Sequence, residues 1–255
     1  MTSVAFAHAT GFCGAVWRPV ASALESPLQP YTWDFPCHGG ARKLDHPIDW
    51  WTFGQTTLDQ VGSLAKPLIG VGHSMGGAAL VMAEVLKPGT FDALVLIEPI
   101  IFPPPFERSE DAPMAVVAER RRREFESREA ARTNFVSKLP FSRWHRSALD
   151  GYLEDGLIDT ESGCRLACWP EDEAEIYRAS TAHGVWDRMG ELQPPTLIMA
   201  GELSDTHPPH FVESLAARPR RSGFELVMGT GHFLPMEKPD LVVRRIQAIA
   251  TGIGA

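Results

Sequence analysis

The sequence predicts an α/β fold: a mostly parallel central sheet covered by helices on both faces. Three observations predict it. Short apolar runs alternate along the chain with amphipathic stretches, in β-α-β order. Several runs, such as 67–72 and 93–97, are apolar at successive positions, the mark of strands buried on both faces. Turn residues follow the runs, as at 9–14 and 35–40, where Gly and Pro cluster.

The elements follow in order. Residues 4–8 read as a strand, 17–24 as a helix and 31–34 as a second strand. Residues 52–64 read as a helix, because Phe53, Thr57, Leu58, Val61 and Leu64 fall near helical spacing. A strand at 67–72, a helix of small residues at 74–86 and a strand at 93–97 come next. Strands at 196–200 and 224–228 and a helix at 239–250, with Leu241, Val242, Ile246 and Ile249 apolar, close the chain. Between Glu98 and Pro194 no strand pattern is evident. Residues 1–100 and 189–255 are therefore expected to form the core, and 101–188 a helical cap inserted over the strand ends. Within that insertion, residues 115–135 read as helical, with Glu119/Arg123 and Glu124/Arg128 in the favourable i,i+4 order.

Composition narrows the function. The chain has 255 residues, with 24 Lys+Arg against 32 Asp+Glu and a net charge of -8. That balance argues against a nucleic-acid partner. The run Arg120–Arg123 sits among Glu119, Glu124, Glu126 and Glu129, so a solvated face is the expectation there. No apolar run reaches the roughly 18 residues of a membrane span, so no membrane insertion is expected. The first residues show no basic segment followed by a long apolar one, and a cytoplasmic location is the expectation. Cys13, Cys37, Cys164 and Cys168 are expected to be unpaired thiols, since no second Cys/His pair stands at zinc spacing near Cys164 and Cys168.

Gly72-His73-Ser74-Met75-Gly76 fits the pattern G-x-S-x-G. An apolar strand precedes it and a small-residue helix follows. A Ser on such a sharp strand-to-helix turn projects its hydroxyl clear of the sheet at a helix N-terminus. The hydroxyl needs a base. His232, in Gly229-Thr230-Gly231-His232, directly follows the last strand and is the chosen base. His73, beside the Ser, is expected to order the loop. The base needs a carboxylate to hold its tautomer. Asp205, just after the 196–200 strand, is the favoured acid; Glu98, ending the 93–97 strand, is the alternative, and Glu202 a third candidate.

With these residues in place, the chain resembles the α/β-hydrolase fold superfamily, in its capped serine-hydrolase branch. The resemblance rests on His8-Ala9-Thr10-Gly11, Trp17, Asp34-Phe35-Pro36-Cys37-His38-Gly39, the Ser74 turn, the Asp205 turn and the His232 loop. It implies a backbone oxyanion hole made by the N–H groups of Met75 and Thr10. Ala9 stands where members of the superfamily usually carry Gly. Only seven residues precede His8, so a sheet of about six strands is expected, without the usual N-terminal strand pair. The exposed edge on the side of the first strand could be covered by a second copy, as a homodimer.

The resemblance implies hydrolysis of a small carboxylic ester, lactone or thioester through an acyl-enzyme on Ser74, with no metal or organic cofactor. C–C bond hydrolysis of diketone-like compounds is the alternative enzyme reading. A small-molecule receptor using the capped pocket is the alternative of another class. Phe12, Trp144, Trp169 and Trp186 are candidate pocket residues, although the three Trp could equally pack the insertion's own core.

Overall fold

The computed structural model describes residues 1–253. The central sheet uses β1 (Thr2–Ala7), β2 (Leu28–Thr32), β3 (Leu68–His73), β4 (Ala93–Ile97), β8 (Thr196–Gly201) and β9 (Ser222–Val227). Their order is β2-β1-β3-β4-β8-β9, and every pairing is parallel. Burial follows the sequence pattern: every residue of β3 and β4 is buried, whereas β2 and β9, at the edges, alternate or are largely exposed. The strand at the free edge beyond β1 is β2, and Pro30 there withholds one N–H from any incoming strand.

Helices cover both faces: α1 (Arg18–Ala21), α2 (Trp51–Val61), α3 (Met75–Leu86), α8 (Pro209–Ala216), α9 (Leu234–Glu237) and α10 (Pro239–Ile253). A 3-10 turn at Gly14–Trp17 leads into α1, so the helical segment expected at 17–24 instead begins at Gly14 and ends at Ala21, with only its second half α-helical. α3 packs close to the sheet because its first turns are Gly76, Gly77, Ala78 and Ala79, all buried.

Between β4 and β8 the chain forms α4 (Pro113–Glu119), β5 (Glu124–Phe125), α5 (Arg128–Val136), α6 (Arg146–Asp155), β6 (Leu157–Thr160), β7 (Gly163–Leu166) and α7 (Pro170–Arg178). Here the structure departs from the sequence reading. The insertion is not all helical: β5, β7 and β6 make a small antiparallel sheet, in that order. The expected helix over 115–135 breaks after Glu119, and neither i,i+4 pair forms. Arg178 holds Glu119, Arg123 pairs with Glu171, and Arg128 reaches Asp159 at 2.9 Å. A local helical ion pair contributes only about 0.2–0.5 kcal/mol, so strand pairing and long-range charge pairs override it. The insertion also shares its core with the sheet. Phe125, Phe135, Trp144 and Leu149 join the cluster that contains Phe6 and Ile69. Ile176, Val185 and Trp186 join the cluster on the opposite face. All four cysteines are buried and unpaired. Among the described residues, no helix is long and apolar enough to cross a membrane.

Candidate active site

In a sheet of this order, the chain goes to one side of β1 for β2 and to the other side for β3. Loops from the carboxyl ends of β1 and β3 diverge there and leave a crevice, the usual ligand position in open α/β sheets. Thr10, Ser74, Glu98, Asp205 and His232 each follow a strand and collect at that end of the sheet.

Ser74 is the residue between β3 and α3, with φ 56° and ψ -118°. A non-glycine residue seldom adopts this left-handed backbone, and the surroundings must enforce it. The glycines on either side make that possible. A Cβ on Gly72 would lie 2.7 Å from the backbone of Gly76 and Gly77, and a Cβ on Gly76 would run into the Ala7 carbonyl of β1. Both obstacles are backbone atoms, which cannot rotate away. Gly76→Ala is expected to cost about 3 kcal/mol of stability, the upper range for overpacking a close-packed site. A urea-unfolding midpoint equal to wild type would contradict this.

The Ser74 Oγ lies 3.2 Å from His232 Nε2. On the other side of the ring, Nδ1 donates to Glu98 Oε2 at 2.6 Å. Ser74 is 6% exposed and Glu98 is fully buried, while the His232 side chain keeps 18% of its surface in contact with solvent. His73 Nε2 donates to the His232 carbonyl at 2.8 Å and so anchors the loop, in line with its expected loop-ordering place.

The structure corrects the choice of acid. Glu98, not Asp205, touches His232. Ser74 N donates to Ile97 O and Glu98 N donates to Met199 O, so Glu98 leaves the sheet on the strand beside the Ser74 strand. Glu98 has φ 47°, a second strained residue at this end of the sheet. The loop after β8 does approach Glu98, but through alternate residues: Ser204 Oγ donates to Oε2 at 2.6 Å and Thr206 Oγ1 at 3.1 Å. Asp205 lies between these two inward-facing hydroxyls and is exposed. Glu202 is exposed as well and accepts from Gly229 N at 3.0 Å, holding the His232 loop rather than its ring.

Glu98 Oε1 accepts from Gly201 N at 2.8 Å, so both carboxylate oxygens are satisfied. Burial alone would raise its pKa, but the hydrogen bonds and charge of His207 and His232 overcome it and hold the carboxyl well below the usual carboxylate range. His207 escaped the sequence reading. It is fully buried, with Nε2 donating to Pro99 O at 3.0 Å and Nδ1 3.3 Å from Glu98 Oε2. Nothing in its sequence neighbourhood marks it, since its place depends on how the β8 loop folds back. Glu98, His207 and His232 are also the group whose ligand atoms approach within 4.8 Å of one another. Those atoms are engaged in the hydrogen bonds just described.

The first loop carries the second expected element. Gly11 N donates to His38 Nε2 at 2.9 Å, and Phe35 N donates to His8 Nε2 at 3.0 Å. Each ring holds its proton on Nδ1 and gives it to a carbonyl, Ala9 O for His8 and Pro36 O for His38, both at 2.9 Å. Burial drives both imidazoles to the neutral form, His8 down to about 4 and His38 down to about 3. The pair fixes the loop that bears Thr10. Among the described residues, the N–H groups of Thr10 and Met75 donate to no other backbone or side-chain group.

Of the four candidate pocket residues, two lie near this site. Phe12 lines a cavity of about 460 Å³ between the loop and the insertion. Trp144 packs on Phe12 at 5.1 Å and on Phe233 at 5.7 Å. Trp169 instead carries Lys43, Arg123 and Arg165 against its ring, and Trp186 stacks on Phe211 on the opposite face of the sheet. Neither lines the cavity. Large aromatics satisfy any apolar neighbour, so their sequence position does not tell a pocket wall from a packing core.

Comparison with known proteins agrees with this fold. A sequence profile of the Alpha/beta hydrolase family matches residues 4–245. Abhydrolase domain-containing protein ACTT2-1 of Alternaria alternata is 24% identical over 212 residues, covering 69% of this chain and 80% of its own length. The peroxisomal alpha-beta-hydrolase Lpx1 of Saccharomyces cerevisiae superposes with a TM-score of 0.83 at 20% identity, over 99% of this chain and 77% of that one. E-2-(acetamidomethylene)succinate hydrolase superposes with a TM-score of 0.81 at 20% identity, over 97% of this chain and 90% of that one. With a profile match across nearly its whole length and a six-stranded parallel sheet of the same fold, the chain belongs to the alpha/beta hydrolase family.

Proposed function

We propose that this hydrolase is a serine hydrolase that cleaves a small carboxylic ester, lactone or thioester through an acyl-enzyme on Ser74. The observation that carries the reading is the unbroken line of hydrogen bonds from Ser74 Oγ through His232 to the buried Glu98 carboxylate.

Each group has a step. Glu98 keeps the His232 proton on Nδ1, so Nε2 presents its lone pair to Ser74. As Oγ attacks the substrate carbonyl, Nε2 takes the hydroxyl proton, and the imidazolium is stabilised by the carboxylate behind it. The Thr10 and Met75 N–H groups receive the negative oxygen of the tetrahedral intermediate, each such donor being worth about 3 kcal/mol in the transition state. Nε2 then returns the proton to the leaving alcohol or thiol. Water, deprotonated by the same nitrogen, attacks the acyl-enzyme and releases the acid.

The test is turnover of p-nitrophenyl acetate and butyrate, together with covalent labelling by a fluorophosphonate mapped by mass spectrometry. The expected result is ester turnover and a single label on Ser74, both absent in Ser74→Ala. An inactive wild-type chain that takes no label, yet binds small molecules in the cleft, would favour a receptor instead.

A further inference from the structure

The cavity beside the active site has a composition that the hydrolase reading leaves unused. It runs from Phe12 and Phe233 outward to the surface of the insertion. Phe233 is the neighbour of His232, its ring centroid 5.2 Å from the imidazole, so the inner end of the cavity lies one side chain away from His232. The walls are apolar: Phe12, Phe135, Phe141 and Phe233 lie within, and Met114, Val117 and Leu139 stand at the mouth. Those last three are 49%, 56% and 75% exposed, among the most exposed large apolar side chains of the protein. Apolar side chains exposed together at one mouth mark a place where apolar groups bind.

The same cavity carries four cations, Arg120, Arg121, Arg122 and Lys138, against one carboxylate, Glu173. Glu173 is already paired with Arg121, which also donates to Tyr152 Oη at 2.8 Å. This pair lies over Gly11 of the first loop, where even a Cβ would strike it. The other three cations are uncompensated. Among the described residues, no carboxylate forms an ion pair with Arg120, Arg122 or Lys138. Arg122 donates only to the Glu124 carbonyl, and Lys138 only to the Asn134 amide oxygen at 2.7 Å. A local excess of positive charge thus rims an apolar cleft on a protein whose net charge is -8. The run of arginines that reads as a neutralised surface in the sequence is divided by the fold. Arg121 and Arg123 take carboxylate partners, while Arg120 and Arg122 are left at the cleft.

We infer that this cleft selects amphipathic substrates, with an apolar body in the channel and an anionic group held at the rim by Arg120, Arg122 and Lys138. The inference rests on the serine-hydrolase reading and adds the substrate class to it. The anion could belong to the acyl part, as a terminal carboxylate, or to the leaving group, as a phosphate; the cations serve either.

Four substrates in two pairs test it. p-Nitrophenyl hexanoate is set against the mono-p-nitrophenyl ester of adipic acid, and hexanoyl-N-acetylcysteamine against hexanoyl-coenzyme A. In at least one pair the anionic member is expected to have a kcat/KM about 10-fold above its neutral counterpart at low salt, a preference that shrinks as salt is added. The pair that shows it locates the anion. The triple variant Arg120→Ala/Arg122→Ala/Lys138→Ala should bring that ratio close to one. Arg146→Ala, which removes an exposed cation on α6, should leave the ratio as in wild type. Turnover without an anionic preference in either pair, or a preference that survives the triple variant, would overturn the inference while leaving the serine-hydrolase reading intact. No turnover of any of the four, with no fluorophosphonate label, would remove that reading and the inference together.

Discussion

Glu98→Gln is expected to lower kcat about 10⁴-fold, and Asp205→Asn to leave it within a factor of two, the first figure being the usual consequence of reversing a catalytic imidazole. The amide replaces one carboxylate oxygen by NH2, and the surroundings decide which. Gly201 N–H points at the Oε1 position and demands an acceptor there. The Ser204 and Thr206 hydroxyls at the Oε2 position can turn from donor to acceptor. The amide oxygen therefore faces Gly201, and NH2 faces His232 Nδ1. The imidazole must then carry its proton on Nε2, where it has no lone pair for Ser74. Volume and most hydrogen bonds survive, so the protein should remain folded and labelling by the fluorophosphonate should slow in parallel with kcat. Asp205 is exposed and touches neither residue, so its amide changes only surface charge. Steady-state kinetics on both variants decides the matter: an inactive Asp205→Asn beside an active Glu98→Gln would reverse the assignment.

Acid should unfold the protein well before its carboxylates alone would require. Four histidines are buried and held neutral: burial pulls His8 and His183 down to about 4, and His38 and His73 down to about 3. Three of them also accept a backbone N–H on one ring nitrogen: Phe35 N for His8, Gly11 N for His38 and Val185 N for His183. Protonation would set two donors against each other. The sign follows from linkage. An unfolded chain takes up protons at these rings below its ordinary value of 6.5, whereas the folded chain refuses them until about 3 to 4. The stability they permit is whole above pH 6.5 and falls as pH drops toward 4, by about 1.4 kcal/mol per pH unit for each ring. Glu98 acts in the same direction lower down, since its carboxyl is held below the usual range and its contribution disappears only as pH falls further. Four rings together can exhaust a typical domain stability of about 5–15 kcal/mol within a few pH units. Urea midpoints measured from neutral pH down to about pH 4 should fall steeply below pH 6.5 and vanish near the lower end. A flat profile across that window would mean that the rings are charged or hydrated in the native protein.

The proposed nucleophile and base could be picked out because each sits in a local sequence context that prescribes its geometry. Gly72 and Gly76 flank Ser74 at the spacing a strained turn needs, and His232 directly follows a strand. The acid was not decidable in the same way. Glu98 and Asp205 both follow strands, and the difference between them is lateral. β4 pairs directly with β3, which leads into Ser74, while β8 lies one strand further out. Strand order is a property of the assembled sheet, and so is the inward or outward sense of each residue in the loop after β8.

The insertion was misread for a related reason. Its charges suggested helical neighbours, but weak local pairs yield to the partners that tertiary packing brings near, as Arg123 with Glu171 and Arg128 with Asp159 demonstrate. Two of the three tryptophans placed at the pocket pack elsewhere, because indole burial does not reveal which surface it faces.

The amino-acid order by itself determined the parallel sheet, the covering helices and the sharp turn at Ser74, since these depend on hydrophobic periodicity and backbone sterics within a few residues. Only the tertiary structure decided that Glu98 stands behind His232, that two neutral imidazoles secure the first loop, and that unpaired cations border an apolar cleft. The contacts behind the first two join residues 27 and 134 positions apart, and the cleft brings Phe12 beside Phe233. Their energies exist only once the chain has closed on itself and water has been excluded from between them.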